Sequence, residues 1–240
     1  MNPQYSDEYL EEYYSKYTMD EPEWDEPLSY GHNFYLKLLE KYIIKKGTLL
    51  DIGCGKGHLI QQAKKHGWNC SGYDVDCTSV EYFSKKLDVK MFCGVFEQIN
   101  WQPNSYDVVS MHHVLEHLKN PVNYLKIINS ILVEGGILFI VIPNIKSLSS
   151  ILKFRLEKLG IRKKNIAKYY DTSHHLFWYE PKTLSNILTK QGYKILHLRS
   201  GHKVRPNQSQ LMRYYLRNFS ERIPWKSTFL LIAKKQNENS

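Results

Sequence analysis

Three glycines at alternate positions follow an apolar stretch that contains one acid. Gly53, Gly55 and Gly57 come directly after residues 48–52, in which Asp51 is the charged residue. Because glycine has no Cβ, such a turn lets a ligand lie against the main chain, and the helical pattern that follows adds unpaired N–H groups. The sequence therefore predicts a strand, a glycine turn and a helix that bind a small polar molecule. The spacing differs from that of the dinucleotide-binding turn.

A second acid ends the next predicted strand, which covers residues 69–74. An acid at this position of a doubly wound sheet can accept hydrogen bonds from both hydroxyls of a ribose, and Asp74 stands there. Asp76 is predicted to be the N-cap of a helix over residues 77–87. The glycine turn and Asp74 together predict a nucleoside-like ligand.

Histidines end the predicted fourth strand, which covers residues 105–111. With an unperturbed pKa of about 6.5, a histidine can take a proton from a hydroxyl group near neutral pH, and His112 and His113 stand where such a strand presents groups to a ligand. Since neighbouring strand residues point in opposite directions, we expect one of the two at most to face the ligand. The alternative for each is a packing role, or for His113 and His117 a hydrogen bond to the main chain.

Length and composition favour one α/β domain. The chain has 240 residues, of which 42% are hydrophobic, and no window approaches the roughly 18 to 20 apolar residues of a membrane span. The first residues lack the pattern of a signal peptide, so we expect a cytoplasmic protein. Four cysteines without C-x-x-C spacing predict buried thiols and neither disulfides nor a metal site.

Charge is distributed unevenly along the chain, whose formal net charge is +9. Residues 1–30 hold nine acids and one lysine, so the rest of the chain carries the whole positive excess. Two basic segments, residues 145–170 and 199–226, each contain one acid against eight and seven bases respectively. They indicate either a solvated surface or a face for an anionic partner.

The run LLDIGCGKGHLI closely resembles the first motif of the class I S-adenosylmethionine-dependent methyltransferases, and the resemblance extends over roughly residues 46 to 198. It includes the Leu-Glu-His run at 115–117, which resembles the fourth motif of that family. The resemblance implies a Rossmann-like, doubly wound α/β fold with a seven-stranded, mostly parallel sheet. Residues 227–234 would form its antiparallel edge strand. The cofactor that it implies is S-adenosylmethionine.

The resemblance also implies site residues. The glycine turn, the acids and the strand ends that match the family's cofactor site are Asp51, Gly53, Cys54, Gly55, Gly57, Asp74, Val75, Phe96 and Met111. Many family members carry an acid where this chain has Val95, so the adenine contact is expected from Phe96 or Glu97. His175 matches the histidine of an aromatic-rich motif in one bacterial branch, although Ser173 and His174 depart from that motif's proline and arginine. It is the first candidate for a general base, before His112 or His113.

One methyltransferase domain is expected to cover residues 1–240. Within it we expect an acidic, aromatic helical lid at 1–45, a cofactor-binding half at 46–144, a basic insertion and substrate cap at 145–180, and a helix with two strands at 181–240. A helix that is docked only for stability is the alternative to the lid.

These features predict methyl transfer to the oxygen of a small anionic or phosphate-carrier-linked acceptor, such as a sugar or a lipid-linked saccharide. Peripheral contact with an anionic membrane surface fits the same basic segments. An RNA methyltransferase is an alternative that the absence of a recognisable RNA-binding appendage disfavours. A non-catalytic module that binds S-adenosylmethionine is a further alternative, which the intact glycine turn disfavours. The sequence leaves the oligomeric state open.

Overall fold

The computed structural model describes residues 26–144, 147–161, 175–200 and 228–237, in which strands and helices alternate. The strands are β1 (Thr48–Ile52), β2 (Asn69–Tyr73), β3 (Lys90–Phe92), β4 (Tyr106–His112), β5 (Leu132–Pro143), β6 (Tyr193–Ser200) and β7 (Thr228–Lys235). The helices are α1 (Glu26–Leu39), α2 (His58–Lys65), α3 (Cys77–Leu87), α4 (Pro121–Ile131), α5 (Leu148–Lys158) and α6 (Pro181–Lys190). Short 3₁₀ turns follow α1, β3 and β4 at Glu40–Tyr42, Phe96–Gln98 and Leu115–His117.

The seven strands form one sheet in the order β3-β2-β1-β4-β5-β7-β6. β1 to β5 are parallel to their neighbours, whereas β7 pairs antiparallel with both β5 and β6. The order reverses between β1 and β4, so the carboxyl ends of these two strands border the crevice where such sheets bind ligands. The structure confirms the predicted α/β class, and it places the antiparallel strand one position in from the edge.

Helices cover both faces of the sheet, because alternate residues of each central strand point to opposite sides. Leu49 packs on one face with Leu36 and Leu39 of α1, and Leu50 packs on the other face with Leu125 of α4. The last two leucines of α1 are buried, which gives this helix its inner face. The last two turns of α1, which belong to the expected lid, therefore pack in the core through Leu36, Leu38 and Leu39. The lid stays a prediction, and residues 1–25 lie outside the described residues.

β5 is longer than the sequence predicts. The pair Gly135-Gly136 favours the end of a helix, and the apolar run after it predicts a strand that starts at Ile137, yet the strand begins at Leu132. The helix stops without a glycine because Leu132 itself takes an extended conformation. The two glycines lie inside the strand, near a shift in the pairing register with β4, and Gly135 has the left-handed φ of 73°.

Two of the four cysteines form a disulfide, although their spacing predicted free thiols. Cys77 begins α3 and Cys93 follows β3, and their Cα atoms are 5.0 Å apart, within the range of a disulfide. Cys54 and Cys70 are buried thiols, as predicted. The expectation of four free thiols was wrong because residues 16 positions apart are brought together by the turn from α3 into the neighbouring strand.

Among the described residues, none of the helices combines the length and the apolar character needed to cross a bilayer. Of the two basic segments, the structure describes 147–161, which includes α5, and residues 199 and 200.

Candidate active site

The glycine turn connects β1 to α2 in a conformation that requires glycine. Gly53, Gly55 and Gly57 have φ values of 71°, 47° and 73°, all in the left-handed region that side chains disfavour. The N–H of Gly53 donates to the carbonyl of Tyr73 at 2.7 Å, and the N–H of Gly57 donates to the carbonyl of Cys54 at 2.8 Å. These bonds hold the turn against the carboxyl end of β2.

Two of the three glycines are also needed for packing, and the third borders open space. A Cβ on Gly53 would lie 2.3 Å from Val114, and one on Gly57 would lie 2.4 Å from Leu87. A Cβ on Gly55 would meet no atom of the described residues within 4 Å. Gly55 therefore lines a space beside the turn that a ligand could enter.

Asp74 lies beside this space, at the end of β2. Its Oδ2 accepts the N–H of Gly55 at 2.8 Å and its Oδ1 accepts the N–H of Asp76 at 3.2 Å. Burial raises the pKa of this carboxyl, while the bond from Gly55 opposes the shift. Asp76 is the N-cap of α3, as predicted, and accepts the N–H of Thr78 at 3.0 Å. The main chain of partly buried Val75 also donates to this carboxyl group. A carboxylate offers about four lone-pair sites, so Asp74 has acceptor capacity left for the predicted ribose contact.

Asp51 lies behind the glycine turn and is almost fully buried. It faces Ser110 of β4, whose hydroxyl donates to the Asp51 carboxyl group. Burial raises the pKa of Asp51 to about 7, and although the bond from Ser110 lowers it, the nearby charge of Asp74 raises it further. Asp51 thus links β1 and β4 under the turn.

Two other predicted cofactor residues contribute their side chains to the core. Burial, followed by the charges of Asp74 and Asp51, raises the pKa of the Cys54 thiol well above its usual value, so the thiol is neutral. The Met111 side chain is fully buried in the cluster under α4 and α6. Only the main chain of these two residues can face a ligand.

The buried Phe96 ring does not fit the predicted adenine contact, which leaves the Phe96 main chain and Glu97 as predictions. The ring is 0% exposed and stacks on Tyr124 at 4.4 Å between centroids, and Trp101 donates its indole N–H to the Phe96 carbonyl at 3.0 Å. An aromatic cluster in the core therefore occupies the ring. Val95, which is 52% exposed, is the side chain that borders the surface next to it.

His112 and His113 separate at the end of β4, as the alternation of strand residues predicts. The His112 ring packs under α1, 5.1 Å from Phe139 and 5.3 Å from Tyr35 between centroids. Burial lowers its pKa well below the usual value, and the neighbouring His32 and His113 add to the shift. The low pKa and the packing of His112 favour the alternative of a packing role, and its role as a base stays a prediction. The side chain of His113, which has the left-handed conformation, is 51% exposed.

His113 belongs to a cluster of titratable side chains around Glu116. This cluster was not among the features predicted from the sequence. The Glu116 side chain is 1% exposed, and its Oε1 lies 3.4 Å from Nδ1 of His113. The rings of His117 and His175 lie 4.8 Å apart between centroids. The main-chain carbonyl of Glu116 accepts the N–H groups of Leu176 and Phe177 at 2.8 and 3.0 Å, which ties the loop of His175 to this turn. The Leu-Glu-His run was the sequence signal for the cluster.

Comparison with known proteins identifies the family. The family described as "Methyltransferase domain" matches residues 28–198. A ubiquinone biosynthesis O-methyltransferase from Coxiella burnetii is 29% identical over 119 residues, which are 47% of this chain and 51% of the relative. The chain thus aligns with about half the length of this relative.

Solved structures show the same fold at low identity. A methyltransferase in complex with the Haloferax volcanii Trm112 methyltransferase activator superposes with a TM-score of 0.67 and 14% identity, covering 95% of this chain and 98% of that one. An S-adenosylmethionine-dependent methyltransferase from Archaeoglobus fulgidus gives 0.58 and 21%, covering 85% and 92%. With the family match over most of the sequence, the glycine turn and the sheet order, the chain belongs to the class I S-adenosylmethionine-dependent methyltransferases.

Proposed function

We propose that the enzyme methylates a hydroxyl oxygen of a small acceptor that is anionic or attached to a phosphate-bearing carrier, such as a sugar or a lipid-linked saccharide. The observation that supports O-methylation is a buried carboxylate, that of Glu116, at the carboxyl end of β4. Three histidines surround it: His113, His117 and His175. A hydroxyl acceptor must lose a proton during the transfer, and this cluster can receive or direct it. The O-methyltransferase name of the Coxiella burnetii relative supports oxygen as the acceptor atom.

The cofactor site in this proposal lies beside the cluster. The open space at Gly55 fits a ligand, Asp74 would accept the ribose hydroxyls, and Asp51 would organise the methionine end through the turn. When bound, S-adenosylmethionine supplies a methyl group on a positively charged sulfur, so the chain mainly has to align the acceptor and remove its proton. Val114 packs against Gly53, which places the strand end that carries the cluster directly beside the turn.

The two basic segments support an anionic acceptor. They follow β5 and β6, and Arg155 and Lys158 in the last turn of α5 are exposed. Positive charge near the entrance would raise the local concentration of an anionic molecule and would lose this effect at high salt. An anionic acceptor should therefore be turned over with a salt dependence that a neutral one lacks.

The proposal is tested by a methyl-transfer screen read through release of S-adenosylhomocysteine. The acceptors are nucleotide sugars, lipid-linked saccharides, quinone precursors and RNA. His113→Gln and His175→Gln should each lower turnover of a hydroxyl acceptor at least tenfold, because proton removal is impaired, with the affinity for S-adenosylhomocysteine unchanged within threefold.

The matched control is His66→Gln, which removes a histidine that pairs with Glu40 far from the cluster in the sequence. This variant should keep full turnover. Full activity in both cluster variants, or turnover only of RNA or of an amine, would overturn the proposal.

A further inference from the structure

The Glu116 carboxylate has an incomplete set of partners for a buried charge. Neither of its oxygens accepts a hydrogen bond from the described residues, and within this part of the chain its ion-pair partner is Nδ1 of His113 at 3.4 Å. Direct hydrogen bonds between a nitrogen and an oxygen are typically about 2.7 to 3.2 Å long. Because the burial of an uncompensated carboxylate is strongly unfavourable, a further positive charge is expected next to it.

Two imidazoles stand beside this carboxylate at a distance suited to a shared ion. One carboxylate oxygen of Glu116 and one ring nitrogen each of His117 and His175 all lie within 4.8 Å of one another. Ligands of Zn²⁺ lie about 2.0 to 2.2 Å from the ion, so two of them are at most about 4.4 Å apart. The longest separation that the three atoms can have, 4.8 Å, exceeds this limit by a few tenths of an ångström, so binding would draw them slightly closer together.

The main chain holds the three residues in this arrangement. Glu116 and His117 belong to one 3₁₀ turn, in which the N–H of His117 donates to the carbonyl of Val114 at 2.9 Å. His175 comes from the loop before α6, and the bonds from Leu176 and Phe177 to the Glu116 carbonyl fix that loop on the turn. The set is therefore assembled from two segments far apart in sequence, before any ligand binds.

We propose that Glu116, His117 and His175 form a binding site for a divalent transition-metal cation. Two neutral imidazole nitrogens and one carboxylate suit Zn²⁺, Mn²⁺, Fe²⁺ or Co²⁺, whereas Mg²⁺ and Ca²⁺ prefer oxygen ligands. Three protein ligands leave coordination positions for other groups, as in catalytic metal sites. This proposal departs from the sequence-based expectation of no metal site, which rested on the spacing of the cysteines and did not consider histidine and glutamate ligands.

The position of the site gives the cation a role in the proposed O-methyl transfer, on which this second part of the inference rests. Val114 contacts Gly53 and directly precedes the turn that carries Glu116 and His117, so an acceptor oxygen at an open coordination position would lie near the cofactor turn. A cation would lower the pKa of a bound hydroxyl, and the proton would pass to His113, which belongs to the cluster but is not one of the three ligands. The oxygen forms its bond to the methyl carbon as the carbon–sulfur bond breaks, with the electron pair remaining on sulfur. The cation keeps its oxidation state.

The site is tested on the untagged full chain after treatment with a chelator. Titration calorimetry with Mn²⁺ and with Zn²⁺ should show one equivalent per chain, and Co²⁺ should give the absorption of a bound ion. Glu116→Gln and His175→Gln should each weaken binding at least tenfold, since each removes one ligand. His66→Gln, which changes a histidine beside another glutamate, should bind as the wild type does. If Glu116→Gln does not fold, the comparison is made between the wild type and His175→Gln, because His175 lies in a partly exposed loop.

The possible outcomes distinguish binding of the cation from its role in methyl transfer. Binding below one equivalent for each metal, or equal affinity in the wild type and in both ligand variants, would overturn the site. Full methyl transfer after removal of the metal would overturn its catalytic role. Metal binding that depends on Glu116 and His175, in a protein that methylates no hydroxyl acceptor, would support the site and contradict the proposed function.

Discussion

Asp51 shows how a single buried carboxyl can make the stability of the protein depend on pH. Its pKa is raised to about 7 by burial behind the glycine turn, against an unfolded value of about 3.9. The folded state therefore binds this proton more tightly than the unfolded state does. The resulting stability is fully present below about pH 4 and is lost as the pH rises through about 7.

We expect Asp51→Asn to remove this loss. Between pH 5 and pH 8 the wild type without cofactor should lose about 2 to 3 kcal/mol more of its free energy of unfolding than the variant, because the amide side chain of the variant cannot ionise. Urea unfolding at the two pH values measures the difference. Glu81→Gln, a change at an exposed i,i+4 pair with Lys85, should follow the wild type. An equal loss in wild type and Asp51→Asn would contradict the assignment.

The disulfide connects the two elements that flank the predicted nucleoside site. Cys77 starts α3 directly after the N-cap Asp76, and Cys93 directly follows β3, two residues before Val95. A link across 16 residues restricts the unfolded chain more than the folded one, which already holds the two ends together.

Reduction of this bond should therefore destabilise the protein. For a loop of this length the expected loss is about 3 kcal/mol. The measurement is thermal unfolding of the wild type with and without a thiol reductant, compared with the double variant Cys77→Ser and Cys93→Ser. The double variant should match the reduced wild type and should not respond to the reductant, since Cys54 and Cys70 are already free thiols and offer no disulfide to reduce. A response of the double variant would assign the effect to another cause.

The elements that could be predicted from the sequence are those with a local signal. β1, the glycine turn, the α3 N-cap Asp76 and the order of helices and strands all follow from residue spacing. The start of β5 was missed because Gly135 and Gly136 indicate the end of a helix as readily as a bulge in a strand. The disulfide, the burial of the Phe96 ring and the approach of His175 to Glu116 depend on contacts between segments that are separated in the sequence, and no local spacing encodes them.

At the scale of the whole molecule, the sheet is stabilised by two separate cores, and α1 closes one of them. Leu36 and Leu39 of this helix are buried with residues of β1, β4 and β5. The first helix is therefore a structural part of the catalytic domain, although it precedes the cofactor turn and could be mistaken for an appendage.

Leu39→Ala should lower the free energy of unfolding by about 2 to 5 kcal/mol, because it leaves a cavity in a core that cannot fully collapse. Ile44→Ala, a change shortly after the helix, should alter it by less than about 0.5 kcal/mol, since Ile44 is fully exposed at 108%. Chemical denaturation of both variants gives the comparison. Similar effects of the two changes would show that α1 does not pack as described.

The position of β7 has a consequence for the order in which the chain can fold during synthesis. β6 pairs with the sheet through β7, yet β7 is made from residues 228–235, after β6 has already been translated. Until those residues are available, β5 has an unpaired edge and β6 lacks the strand that joins it to the rest. Such edges recruit strands from other molecules. A chain whose translation stops before residue 228 would thus carry a complete cofactor turn on an unfinished sheet, a form prone to aggregation.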